Sequence, residues 1–288
     1  MFTPDFHANY SLPGPACPQE VSVLSKVFPQ GYSEDCLSLN IEIPKNAYNE
    51  RTKSFEGSDL PVMIFIHGGG YVIGMGKEFY VRSEEFSKRN VIFVTVNYRL
   101  GVFGFLSLPE IRKEDPSAFN FGLLDQRLAI RWVQKNIHYF GGDSKKITLF
   151  GESAGAMSIL WQLTALDEDL PEDQALSTLH GAIIQSPADV PIVPCSESDK
   201  TFQTVMEHLI PKDGPVMETL RTLDTQTLMD AIPTFPQTRK LFFHTMTPYT
   251  ASIMPCTGEK VFTKSYRDSI AAGKFNSNPN FIIGTTHV

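Results

Sequence analysis

Two short glycine-bearing motifs carry the chemistry in this chain. Gly151-Glu152-Ser153-Ala154-Gly155 follows the apolar run 147–150 and precedes a helical pattern. A serine on such a strand-to-helix turn takes strained backbone angles, and its flanking glycines let strand and helix approach. The turn exposes the Ser153 hydroxyl as a nucleophile and sets the Ala154 N–H at a helix N-terminus, where a developing oxyanion finds a donor. The second motif, His67-Gly68-Gly69-Gly70, follows the apolar run 61–66. Glycines there let backbone N–H groups turn inward with no Cβ in the way. Gly69, Gly70 and Ala154 would form a three-donor oxyanion hole. Together the motifs point to acyl transfer through serine, the chemistry of ester hydrolysis.

Other polar residues near these motifs suit the scaffold better. His67, at a strand end beside a glycine turn, reads as structural rather than as the catalytic base. Glu152 and Asp143 read as anchors for backbone or arginine groups, and Glu34, Asp35, Arg99 and Arg127 as scaffold ion-pair partners. His180 and His287 are poor substitutes for a base. A serine without an activating histidine loses several orders of magnitude in rate.

The elements that must position these motifs are legible in the hydrophobic pattern. The runs 61–66, 91–96, 147–150 and 182–184 are continuous and rich in β-branched residues, which suits strands buried on both faces of a parallel sheet. Residues 281–284 read as one more buried strand, and residues 39–43 alternate like an outer strand. Leu124, Leu128, Trp132, Val133 and Ile137 predict one apolar stripe along a helix from 122 to 140. A second helix should run from 154 to 166. Strands alternating with helices argue for an α/β fold with a mostly parallel, helix-covered sheet. Residues 1–36 read as an extended lead-in and 44–59 as a surface loop. Between 199 and 250 short helical pieces punctuated by prolines suggest a helical insertion over the sheet, a lid or gorge wall.

The 288 residues, 42% hydrophobic and 11% aromatic, are enough for a substantial core. A net charge of -7 with no long basic run argues against nucleic acid as a partner. No apolar stretch reaches the roughly 20 residues that span a bilayer, and the first residues lack the pattern of a signal peptide. Four cysteines, Cys17, Cys36, Cys195 and Cys256, fit neither a zinc site nor a redox pair. Cys17 and Cys36 enclose 18 residues, a loop that a disulfide would stabilise by about 3 kcal/mol; four free buried thiols are the alternative. Asn9-Tyr10-Ser11 matches the glycosylation acceptor pattern, which matters only in a secreted chain.

The chain resembles the type-B carboxylesterase and cholinesterase-like family of the α/β-hydrolase fold. The resemblance runs in order through Ser33-Glu-Asp-Cys-Leu-Ser-Leu-Asn40, His67-Gly-Gly-Gly70, Asn97-Tyr-Arg-Leu-Gly101 and Phe103-Gly-Phe105. It continues through Asn120-Phe-Gly-Leu-Leu-Asp-Gln-Arg127, Trp132-Val133, Phe140-Gly-Gly-Asp143 and the Ser153 pentad. It implies that Ser153 forms the acyl-enzyme, that Gly69, Gly70 and Ala154 hold the oxyanion, and that Cys17 and Cys36 form a disulfide. Cys195 and Cys256 match no second bridge and are expected free. The implied substrate is a small-molecule carboxylic ester, with no metal or organic cofactor. A disulfide and the glycosylation pattern together imply a secreted or ER-luminal parent.

The resemblance also implies a partial domain across 1–288: a core at 14–190, the helical insertion at 199–250 and a late core strand at 281–288. Family members begin with further strands, and their acid stands in a Gly-x-x-x-x-Glu-Gly context. Residues 281–288 lead into that motif, so the Glu is expected one residue beyond Val288 and the His far beyond. This chain is thus expected to be a piece of a longer esterase, inactive or impaired alone and with apolar sheet surface left exposed. Gln185-Ser186-Pro187 stands where the family has Gln-Ser-Gly, a change in the local pocket wall. The rival reading is a silent cholinesterase-like binding or adhesion protein, which does not require an intact serine turn.

Overall fold

The computed structural model describes residues 13–19, 31–49, 51–52, 54–55, 59–77, 84–165, 176, 178–210, 214–231, 254–258 and 261–286. At its centre β4 (Leu60–Ile66), β5 (Ile92–Val96), β6 (Gly142–Glu152) and β7 (Gly181–Gln185) pair in parallel, joined at one edge by β8 (Asn280–Gly284). At the other edge β1 (Leu39–Glu42) runs antiparallel to β5, giving the order β1-β5-β4-β6-β7-β8. A two-stranded ribbon, β2 (Tyr48–Asn49) with β3 (Ser54–Phe55), lies within the stretch expected to be a loop.

The central strands behave as their composition requires. Val62, Ile64, Ile66, Ile92, Val94, Val96, Ile147 and Leu149 are all completely buried. Each such side chain contributes roughly 1.5–3 kcal/mol relative to exposure. The helices that cover them are α4 (Phe121–Asn136) and α5 (Ala154–Thr164), with the short α1 (Glu84–Ser87), α2 (Gly101–Phe105) and α3 (Pro109–Glu114) between β4 and α4. Among the described residues no helix is long and apolar enough to cross a membrane.

Two expectations about packing fail. Of the expected stripe, Val133 and Ile137 are buried, Leu124 and Trp132 are half-buried against the core, and Leu128 is 61% exposed. Steps of four advance about 40° past each full turn, so that series winds off the buried face at Leu128. The buried face is Leu123, Gln126, Ile130, Val133 and, in the 3-10 turn that follows, Ile137. These are steps of three and four, hidden from an apolar count by a glutamine in the series.

The strand at 281–284 exists, but it is not buried. Ile282 is 64% and Ile283 62% exposed. Neighbouring side chains on a strand point to opposite faces, so both faces of β8 are bare. It pairs with β7, and the Phe275 ring meets Phe281 with centres 6.4 Å apart, leaving Ile282 and Ile283 exposed.

The region after β7 is helical, with α6 (Cys195–Met206), α7 (Val216–Thr222), α8 (Thr225–Ala231) and, beyond the undescribed residues 232–253, α9 (Tyr266–Ala271). Asp199 on α6 is held by Arg112 of α3 and accepts from Ser107 at 2.7 Å.

Cys17 and Cys36 are bonded to each other. Cys195 and Cys256 are not free, because they form a second disulfide across 61 residues of chain. Their approach is built by backbone: Cys195 N–H donates to Thr257 at 2.9 Å and Thr257 N–H to Val193 at 3.0 Å. Asn120 clasps Cys256 from the other side, donating to its carbonyl at 2.8 Å and accepting from its N–H at 3.0 Å. Loop-closure cost rises only slowly with length, so a wide separation does not disqualify a pair. The glycosylation pattern at Asn9 and the residue His287 lie outside the described residues.

Candidate active site

In open α/β sheets, ligand sites gather at the carboxyl ends of the strands. β4 and β6 are neighbours, and Ile66 is the register partner of Gly151. The glycine turn after β4 and the serine turn after β6 therefore leave the sheet side by side. The contact is close: a Cβ added to Gly68 would lie 2.8 Å from the Glu152 carbonyl and 3.4 Å from the Ser153 Cβ.

Ser153 has φ 55° and ψ -119°, a strained pair of angles for a residue with a side chain. Two contacts hold it there. Its N–H donates to Gln185 at 3.0 Å, and its carbonyl accepts the first α5 hydrogen bond, from Met157 at 3.0 Å. Gly155 makes the turn possible, since a Cβ there would sit 2.0 Å from the Ile66 carbonyl. Among the described residues the Ser153 hydroxyl makes no hydrogen bond. Neither do the N–H groups of Gly69, Gly70 and Ala154, although the Gly69 carbonyl accepts from Val72 and Ile73, each at 3.1 Å.

The glycine turn is itself strained and braced. Gly69 has φ 100° and Gly70 φ 62°, and Tyr71 continues in the same left-handed region at φ 63°. Gln19 fastens the far end of this loop, donating to the Gly74 carbonyl at 2.8 Å and accepting from the Gly74 N–H at 2.9 Å. Asn97 holds the Gly76 N–H at 2.8 Å and donates to the carbonyls of Pro15 and Cys36, each at 2.9 Å. The role of these two braces leaves no local mark in the sequence, because their partners lie far away along the chain.

His67 is structural, as its position implied. It is buried and stacks on Tyr98 with ring centres 4.2 Å apart. Its Nδ1–H donates to the Gly68 carbonyl at 2.8 Å, and Nε2 has no partner among the described residues. Burial lowers its pKa to about 4, only partly opposed by that hydrogen bond. The ring is thus neutral at ordinary pH.

Partial loss of hydration raises the Glu152 carboxyl above its usual range. Asp143 anchors backbone, accepting from Lys145 N–H at 2.8 Å, which with Lys146 holds its carboxyl low. Arg99 and Asp125 form a bidentate pair at 2.8 and 2.7 Å that pins the loop before α2 to α4.

The model of the carboxylesterase family matches residues 6–288. The chain belongs to the carboxylesterase family. Among its relatives is a juvenile hormone esterase from Tribolium castaneum, 44% identical over 156 residues, which are 54% of this chain and 24% of that protein. Another is lipase 5 from Diutina rugosa, 37% identical over 260 residues, 87% of this chain and 44% of that one. A thermophilic PNB esterase structure superposes with a TM-score of 0.76 at 32% identity, covering 95% of this chain and 52% of its own. This carboxylesterase-family chain thus has the α/β-hydrolase fold, and it spans about half, or less, of the length of these relatives.

Proposed function

We propose that the protein carrying this chain hydrolyses small-molecule carboxylic esters through a serine acyl-enzyme. In this reading Ser153 is the nucleophile, and the N–H groups of Gly69, Gly70 and Ala154 are the oxyanion hole. The observation that supports it most is the Ile66–Gly151 register, which brings the serine turn beside the glycine turn; among the described residues neither the Ser153 hydroxyl nor the N–H groups of Gly69, Gly70 and Ala154 are otherwise engaged.

The Ser153 oxygen bonds to the ester carbonyl carbon, and the π pair moves onto the carbonyl oxygen, where the three donors stabilise it. Each such donor contributes roughly 3 kcal/mol to transition-state stabilisation. Collapse expels the alcohol with a proton, and water repeats the sequence to release the acid. The serine proton needs a base. His67 does not suit, because it is buried with Nδ1 committed to Gly68.

In the same reading residues 14–190 carry the core and nucleophile turn, 199–250 an insertion over the sheet, and 281–288 a late strand. The two disulfides support an oxidising compartment, secreted or ER-luminal.

The test is labelling with a fluorophosphonate, alongside turnover of a p-nitrophenyl ester, in the longest form of the protein that carries this chain. Both should occur and both should vanish in Ser153→Ala. Labelling that persists in that variant overturns the assignment of Ser153 as nucleophile, and labelling and turnover that never occur overturn the reading in favour of binding without catalysis.

A further inference from the structure

Behind the two turns lies a buried polar network that the acyl-transfer scheme does not use. Tyr71 directly follows Gly70 and is completely buried. Its left-handed backbone is held by Gly101, whose N–H donates to the Tyr71 carbonyl at 2.8 Å, and by an edge contact of its ring with Phe105 at 4.9 Å. Its phenol accepts from the Ser158 hydroxyl at 3.4 Å. Ser158 in turn accepts from Gln126 Nε2 at 3.0 Å. Gln162 Nε2 lies 3.5 Å from Gln126 Oε1 and donates to the Leu123 carbonyl at 2.8 Å.

The places these groups occupy matter. Ser158 is four residues after Ala154, one turn along the same face of α5. Tyr71 is one residue after Gly70. The network therefore ties the chain behind one oxyanion donor to the chain behind another, and braces both against α4 through Gln126.

A stabilising role alone explains it poorly. Ser158, Gln126 and Gln162 are essentially fully buried, and Gln162 Oε1 has no donor among the described residues. A half-satisfied buried polar network stabilises less than an apolar filling of the same volume. What it supplies is directionality, because hydrogen bonds fix distance and angle where apolar packing allows sliding.

We propose that Tyr71 is a positioning residue for acyl transfer, its phenol joined to Ser158 and Gln126 so that the Gly70 and Ala154 donors keep a fixed separation. This rests on the proposed serine-esterase function. Tyr71 touches no reacting atom; it acts through the peptide groups beside it. Misplacement by about 1 Å in such a site costs on the order of a hundredfold in rate, so loosening one link should cost less than that.

The experiment is a double-mutant cycle of Tyr71→Phe and Ser158→Ala in the longest form of the protein, read by p-nitrophenyl ester kinetics and the fluorophosphonate labelling rate. Each single variant should lower kcat about tenfold with KM changed less than twofold, and slow labelling in parallel. The double variant should be no slower than the worse single, because both break one link. A kcat within twofold of the parent in Tyr71→Phe, whatever its melting temperature, overturns the proposal. So does a double variant whose losses multiply. A parent with normal Ser153-dependent turnover and an unimpaired Tyr71→Phe sinks this inference alone, whereas a parent with no such turnover sinks the esterase reading as well.

Discussion

Ile66 and Gly151 are register partners on adjacent parallel strands, and from that single pairing the glycine turn and the serine turn acquire their common location. Residues 84 positions apart in sequence, Gly69 and Ser153, become neighbours in the sheet's end because β4 and β6 have no strand between them. The chemistry proposed for the site depends on that adjacency more than on either motif.

Gly155 and Gly69 should be far less replaceable than a glycine with open space around it. Gly155→Ala places a methyl 2.0 Å from the Ile66 carbonyl, and Gly69→Ala places one 2.1 Å from the Ile73 carbonyl. Both should cost about 3 kcal/mol or more, beyond typical single substitutions. Gly273→Ala, with φ 69° but nothing within 4 Å, should cost about 1 kcal/mol. Urea midpoints of the three variants give the order directly.

Stability should fall in mild acid through His67. Its folded pKa of about 4 lies below the ordinary 6.5, so the unfolded chain binds more protons between those values. The contribution is fully present above about pH 6.5 and is lost as the pH falls toward 4, up to about 3 kcal/mol. Unfolding by urea at pH 7.5 and at pH 4.5 should show a smaller difference in His67→Asn than in the parent. An equal difference in both removes His67 as the cause.

The two disulfides should differ in weight. The chain-entropy model assigns about 3 kcal/mol to the 19-residue separation of Cys17 and Cys36 and about 4 kcal/mol to the 61-residue separation of Cys195 and Cys256. Replacing each pair by serine and comparing thermal midpoints should rank them in that order. Loss of the second pair should also release Asn120, which holds the Cys256 backbone at the start of α4.

Asp125→Ala should destabilise the fold by about 2 kcal/mol. The carboxylate is nearly buried and accepts from the Arg99 guanidinium and from its N–H at 3.0 Å, while Arg99 keeps some contact with water, which moderates the loss. Little recovery in high salt is expected, because a buried pair is weakly screened. Chemical denaturation with and without 1 M salt checks both points.

The bare strand β8 should make the isolated chain self-associate. Ile282→Lys or Ile283→Lys should shift it toward monomer in light scattering, with a stability change within about 0.5 kcal/mol, since both sites are exposed. Unchanged association would place the sticky surface elsewhere.

Much of this was visible in the sequence, for identifiable reasons. Strands 61–66 and 91–96 are buried on both faces, so burial writes itself into an unbroken apolar run. The serine and glycine turns are legible because their close contacts leave no room for a Cβ at Gly155 or Gly69, so glycine marks those places. The core face of α4 was misread because Gln126 occupies an inward position that an apolar count skips. The exposure of 281–284 was hidden because a run of isoleucines looks alike in a central strand and at an edge. The Cys195–Cys256 bond was missed because its partners are brought together by backbone pairing and by Asn120, neither of which leaves a local mark.

The order of strands in the sheet has a consequence for biogenesis. Once β4 and β5 have paired, every later strand, β6 then β7 then β8, is added to the same growing edge in the order in which it is synthesised. None of these three strands has to be threaded between two already in place. The ribosome can therefore extend the sheet row by row, with each finished edge serving as the template for the next segment to emerge. The serine turn is completed at the third of these parallel rows, and the row that follows supplies the Gln185 carbonyl that fixes its angle.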